Sequence, residues 1–149
     1  PLASEPMRLL VPARHRLATQ NRVSLSLVRD DPFISIRGTS LLRQHSVDLC
    51  ERAGFTPEVA LVADDLPTIR GFVAAGLGVA IVPTIWDASG EPSTPRVRYL
   101  AIDDDAASRE VGMAWSNDRR MLPSAALFRD HVIERFKAGK LPRPVPVAS

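Results

Sequence analysis

Asp64-Asp65-Leu66-Pro67-Thr68-Ile69-Arg70-Gly71-Phe72-Val73-Ala74-Ala75-Gly76-Leu77-Gly78-Val79-Ala80-Ile81-Val82-Pro83 is the stretch whose reading decides the fold. Asp65 stands just before the first apolar residue, where a carboxylate can accept from the free N–H groups that open a helix. Leu66, Ile69, Phe72 and Val73 follow at helical spacing. Gly76 fits the left-handed position that ends a helix, and Leu77 is placed for the apolar contact that accompanies such a cap. Val79-Ala80-Ile81-Val82 is continuous and β-branched, the pattern of a strand buried on both faces, and Pro83 cannot donate to a ladder beyond it. The stretch predicts a helix feeding a central parallel strand.

Working outward, Pro32-Phe33-Ile34-Ser35-Ile36 reads as a strand and Arg37-Gly38-Thr39-Ser40 as a turn ending in two capping hydroxyls. A helix is expected over 41–53, with Leu42, Leu49 and Ala53 on one face, Gly54 as its stop and Phe55 packing back. Glu58 to Val62 is the next strand. Strand, helix, strand, helix, strand with short connections predicts a parallel α/β sheet with right-handed crossovers. Ligands on such sheets sit at the carboxyl ends of the strands, here 36–40, 62–66 and 82–84.

Further from the centre, Met7 to Pro12 is a strand, the loop 13–18 follows it, and 24–29 is a short amphipathic turn or helix. The polar, proline-rich run 89–95 is the expected boundary. Beyond it come a strand at 97–102, a solvated turn at Asp103-Asp104-Asp105 and a strand at 110–115. A helix capped by Ser124 then carries Phe128, Val132 and Phe136, with Gly139 after it. Residues 139–149 are expected to form a flexible tail.

The 149 residues are 45% hydrophobic and 24% charged, ordinary for a globular protein. The longest apolar run, Val79 to Val82, is too short to span a bilayer, and 1–12 lacks a signal-peptide layout, so no membrane and a cytoplasmic location are expected. Basic residues are scattered among 17 acidic ones for a net charge of +2, which argues against nucleic-acid binding by this segment itself. The single Cys50 has no internal disulfide partner and fits a small buried helical position.

The turn Gly38-Thr39-Ser40 is the most informative chemical feature. Its hydroxyls, the free N–H groups at the helix start, the helix dipole and nearby Arg37 and Arg43 together suit a small anion. The plainer alternative is that Thr39 or Ser40 only caps the helix. Asp65 likewise either caps its helix or meets a ligand hydroxyl or amine. Arg14 and His15 lie in the loop after the first strand, where a histidine is ordinarily solvated. His15, His45 and His131 belong to no H-E-x-x-H, no G-x-S-x-G surrounds a serine, and Gly76-Leu77-Gly78 is not a dinucleotide fingerprint. Asp103 to Asp105 point in different directions, unlike a metal-ligand set. An enzyme, a cofactor and a metal are therefore not expected.

The phrase Val73-Ala74-Ala75-Gly76-Leu77-Gly78-Val79-Ala80-Ile81-Val82-Pro83, with Asp65 before it and Pro12-Ala13-Arg14-His15-Arg16-Leu17-Ala18 upstream, resembles the effector-binding domain of LysR-type transcriptional regulators. The resemblance covers nearly the whole chain, more loosely after Pro95. It implies a periplasmic-binding-protein-like (type 2) α/β fold, with one complete parallel or mixed-sheet lobe and part of a second. The division it suggests is the end of lobe I and a crossing strand at 1–12, lobe II at 13–95, and a return into lobe I at 96–138. In that family the matching turn contributes to the effector pocket, which makes Arg37, Gly38, Thr39, Ser40, Asp65, Leu66 and Pro83 the expected effector-binding residues. The implied partners are a small-molecule effector, a second copy of the chain, and DNA through an N-terminal helix-turn-helix domain that this segment lacks. Peroxide-sensing members carry a cysteine near Cys50 and a partner near Leu41. Here that position is aliphatic, so no disulfide switch is expected. A solute-binding component of a transport system with the same fold is the alternative.

Overall fold

Side-chain caps start both inner helices where the sequence places them. The Ser40 hydroxyl accepts from the Arg43 N–H at 3.2 Å and opens helix α1, Leu41–Arg52. The Asp65 carboxylate accepts from the Thr68 N–H at 2.7 Å and opens helix α2, Leu66–Ala74. Each cap satisfies one of the donors that a helix start leaves without an intrahelical acceptor. Glycines end both helices in left-handed geometry, Gly54 at φ +87° and Gly76 at φ +79°. The following N–H turns back in each case, Phe55 to the Cys50 carbonyl and Leu77 to the Phe72 carbonyl, both at 3.1 Å. Phe55 also packs on the core, its ring 6.0 Å from that of Phe33. Leu77 departs from expectation: its hydrogen bond forms, but the side chain stays 47% exposed.

The computed structural model describes residues 2–83, 96–116 and 120–139. The expected connector at 89–95 and the tail from 140 lie outside these. The remaining elements are strands β1 (Ala3–Pro12), β2 (Arg22–Val23), β3 (Phe33–Ile36), β4 (Val59–Ala63), β5 (Ala80–Pro83), β6 (Val97–Ile102) and β7 (Ser108–Val111). A 3-10 turn spans Leu25–Val28, and helix α3 spans Pro123–Lys137.

The strands form a mixed arrangement, which corrects the expectation of one parallel sheet. β3 and β4 pair in parallel as a two-stranded sheet, while a second sheet runs β2-β6-β1-β5, with β7 also pairing with β1. β5 is not the central parallel strand that its composition suggested. Only Val79, just before it, bridges Phe33 in parallel; from Ala80 onward it runs antiparallel to β1, Met7 facing Pro83 and Leu10 facing Ala80. A continuous apolar run reports burial on both faces, and that is what β5 has; it does not report strand direction. Gly78 makes the handover from one sheet to the other. Its φ is +157°, and a Cβ there would stand 2.4 Å from the Pro32 carbonyl oxygen, the atom to which Val79 N–H donates.

Two apolar clusters fill the space on either side of β1, β5 and β6. One gathers Met7, Leu9, Val11, Ile81, Leu100 and Ile102 beneath Leu49 and Cys50 of α1. The other packs Leu10, Ala80, Val82 and Val97 against Ile69 and Val73 of α2. Alternation along β1 and β6 sends successive side chains to the two helices, each buried one worth about 1.5–3 kcal/mol.

β1 changes partners partway along. Ala3 to Pro6 pair with β7, and Met7 onward pairs with β5 and β6. β6, expected as the start of the return into lobe I, lies in the same sheet as β5, so pairing continues across the expected boundary at 95. β7 begins two residues earlier than expected and ends at Val111. Helix α3 starts from Leu122 rather than from a Ser124 cap, and none of its residues is buried. Phe128 is 64% exposed, so the stripe read from the sequence forms without being covered.

Candidate functional site

The carboxyl ends of β3, β4 and β5 carry the turns that sequence reasoning selected. Gly38, at φ +84°, lets the chain leave β3 and enter α1. An open depression of about 360 Å³ lies there, lined by Gly38, Thr39, Ser40, Arg43, Gln44 and Val47. Arg43 reaches back over it, donating to the Gly38 carbonyl at 3.3 Å. The Ser40 hydroxyl is engaged as a cap, whereas the Leu41 and Leu42 N–H groups have no intrahelical acceptor. The depression thus combines the positive end of a twelve-residue helix, a guanidinium and the Thr39 hydroxyl.

The structure separates the seven expected residues. Gly38, Thr39 and Ser40 come together in this depression. Arg37 turns away: its Nε donates to Asp64, and both side chains are exposed. Asp65 caps α2, and the Thr68 N–H holds its carboxyl below the usual carboxylate range. Leu66 packs against the α2-side cluster, and Pro83 is buried in β5 opposite Met7. Gln44 and Val47 were missed, although positions 40, 43, 44 and 47 share one face of a helix that starts at 41.

A second hollow runs beneath α1, lined among others by Ser35, Ile36, Ser46, Val59 and Ile81, and it shares Arg43 and Val47 with the first. Ser46 Oγ donates to the Leu42 carbonyl at 2.9 Å.

Two other groups differ from their sequence reading. His15 is largely buried rather than solvated. Its Nδ1 accepts from the Leu17 N–H at 3.2 Å, and its Nε2 lies 3.4 Å from Asp31 Oδ1. Asp104 is not simply solvated: it accepts from Arg52 Nε and Nη2 at 2.9 and 3.0 Å and from the Ala106 N–H at 2.8 Å. The Arg52 bonds, then the Ala106 bond, hold its carboxyl below its ordinary value. Among the described residues no cluster of three metal-ligating side chains forms, and no helix is long and apolar enough to cross a membrane.

Helices on both faces of a mixed sheet, with one long strand leaving that sheet to pair with a returning strand, define a lobe of the periplasmic-binding-protein-like fold. More specifically, the chain belongs to the LysR substrate binding domain family, which it matches over residues 1–137. It is 35% identical over 136 residues to the transcriptional dual regulator GltC of Bacillus subtilis, covering 91% of this chain and 44% of that protein. An uncharacterized HTH-type transcriptional regulator of the same organism, YybE, is 30% identical over 135 residues, covering 91% of this chain and 45% of that protein. The chain therefore spans a little under half the length of these curated relatives. Among solved structures, the C-terminal domain of a probable LysR family regulator from Rhodococcus sp. RHA1 superposes with a TM-score of 0.77 at 26% identity, covering 89% of this chain and 65% of that one. The effector binding domain of QuiR in complex with shikimate gives 0.81 at 22% identity, covering 95% and 66%, a likeness of fold.

Proposed function

We propose that this chain is the effector-sensing part of a LysR-type transcriptional regulator and that it takes a small anionic molecule at the turn Gly38-Thr39-Ser40. The observation that carries the reading is the depression into which the α1 N-terminus, Arg43 and Thr39 all open. Arg37, Asp65, Leu66 and Pro83, at the neighbouring strand ends, lie outside its lining. Lobe II comprises the β2-β6-β1-β5 sheet, β3, β4 and both inner helices; the first residues of β1, β7 and α3 belong to lobe I. An effector gripping both lobes favours one lobe arrangement, and in a dimeric regulator that alters how paired helix-turn-helix domains meet DNA. The site in the regulator is cytoplasmic, reached by metabolites rather than by a transport partner. The regulators among its relatives favour this reading over a solute-binding component of a transporter.

Thr39→Val tests the site without touching the Ser40 cap. The expected result is at least a tenfold loss of affinity for small carboxylates, read by calorimetric titration, with the melting temperature unchanged. Adding Ser40→Ala should deepen the loss. Carboxylate affinity unchanged in the double variant overturns the assignment.

A further inference from the structure

We propose that Arg8 and Arg22 form a binding site for a phosphate-type oxyanion, on the opposite face of the main sheet from α1 and apart from the turn Gly38-Thr39-Ser40. Both arginines align with Ala101 of β6, Arg8 from β1 and Arg22 from β2. Leu10 and Tyr99, the next matched pair on the same face of β1 and β6, pack with the α2-side cluster. Alternation therefore puts the Arg8–Ala101–Arg22 row on that face too. Two strand spacings, roughly 10 Å, separate the two backbones. The residue between them contributes only a methyl, so two guanidinium groups face each other across a small side chain.

The charges in this row do not balance. Arg8 Nε is buried without a hydrogen-bond partner, and among the described residues no carboxylate pairs with the Arg8 side chain. Burial, then the charge of Arg22, pulls the Arg8 guanidinium below its ordinary value. Arg22 has Asp103, but only at 3.4 Å and with both side chains well exposed. A buried donor without an acceptor is costly, and a like charge beside it adds to the cost. An oxyanion between the arginines removes both penalties. Guanidinium forks take carboxylates and phosphates through paired parallel bonds. A carboxylate spends both oxygens on one fork, whereas a tetrahedral phosphate keeps further oxygens for the second. Arg8 follows Met7, at which β1 passes from β7 to β5 and β6, so the bound ion ties that strand to the edge strand β2 beside the change of partners.

Calorimetric titration of the protein with inorganic phosphate and with methyl phosphate in low-salt buffer reads the site. The expected result is one-to-one binding that Arg8→Gln weakens about tenfold or more and that Thr39→Val leaves unchanged. Arg22→Gln alters an exposed side chain, so it should weaken binding several-fold without moving the melting temperature. Phosphate should raise the melting temperature of the unaltered protein and not that of Arg8→Gln. Tighter binding of methyl phosphate assigns the site to a phosphate ester and tighter binding of the free ion to phosphate itself; either supports the proposal. Affinity unchanged in either arginine variant, or abolished by Thr39→Val, overturns it. So does the absence of phosphate binding, the result expected if a carboxylate from elsewhere in the regulator closes on the pair.

Discussion

Glu5 and Arg109 face each other across the β1–β7 ladder, and the Glu5 carboxylate accepts from Arg109 Nε at 2.7 Å and from Nη2 at 2.6 Å. Glu5 is the buried charged residue of the described core, 2% exposed. The pair stands where β1 leaves β7 for β5 and β6, so it holds the two crossing strands in register next to the change of sheet. Arg109→Met leaves the carboxylate buried with its charge uncompensated. The expected cost is about 3 kcal/mol, the low end for a broken buried pair because Arg109 itself is partly exposed. Thermal unfolding should shift down by about 6–12 °C. A shift below about 2 °C would show that water reaches Glu5 freely.

Two glycines give opposite expectations for the same substitution. Gly78→Ala places a methyl 2.4 Å from the Pro32 carbonyl oxygen, at a φ that side chains avoid. Backbone must move on both sides of the sheet change, and the loss should be about 3 kcal/mol or more. Gly71 lies inside α2, where an added methyl would meet nothing within 4 Å. Gly71→Ala should therefore stabilise by about 1 kcal/mol through helix propensity alone. Chemical denaturation of the two variants side by side decides the matter, and equal effects would contradict the close approach at Gly78.

These glycines also mark how far the sequence could be read. Helices α1 and α2 were legible because their starts and stops are written locally, in Ser40 and Asp65, Gly54 and Gly76. Strand partners are not local. Ala80 to Val82 has the same composition whether it pairs with β3 or with β1, and the structure pairs it with β1. β2, two residues long, gives no periodicity to detect. Around the turn, the caps at Ser40 and Asp65 were readable from local chemistry, whereas the Arg37–Asp64 pair joins residues 27 apart in sequence and left no local signal. Asp104 was misread because its partner, Arg52, is far away in sequence.

Asp104 sets an expectation for acid. Its folded-state pKa lies below the unfolded value of about 3.9, so the stability it adds is complete above about pH 4 and disappears as pH falls through the depressed folded value. Asp104→Asn should lower stability at pH 7 by under about 1 kcal/mol, since Arg52 is well exposed. The same variant should lose less than the unaltered protein between pH 7 and pH 3. Parallel acid limbs in urea titrations at the two pH values would exclude Asp104 as a source of the acid sensitivity.

Cys50 is fully buried on α1 beneath the sheet, and burial, reinforced by Glu51, pushes its thiol up to about 12. The thiolate is the reactive form, so at pH 8 the folded protein holds almost none of it, and none within reach of solvent. Labelling by an aromatic disulfide reagent should be negligible over an hour in native buffer and complete within minutes in denaturant. The rate at intermediate denaturant should follow the unfolded fraction, because exposure requires opening the cluster around Leu49 and Phe33. Rapid native labelling would mean that α1 lifts from the sheet without global unfolding, and the helix that carries Thr39 and Ser40 at its start would then be a moving element rather than a fixed floor for the effector.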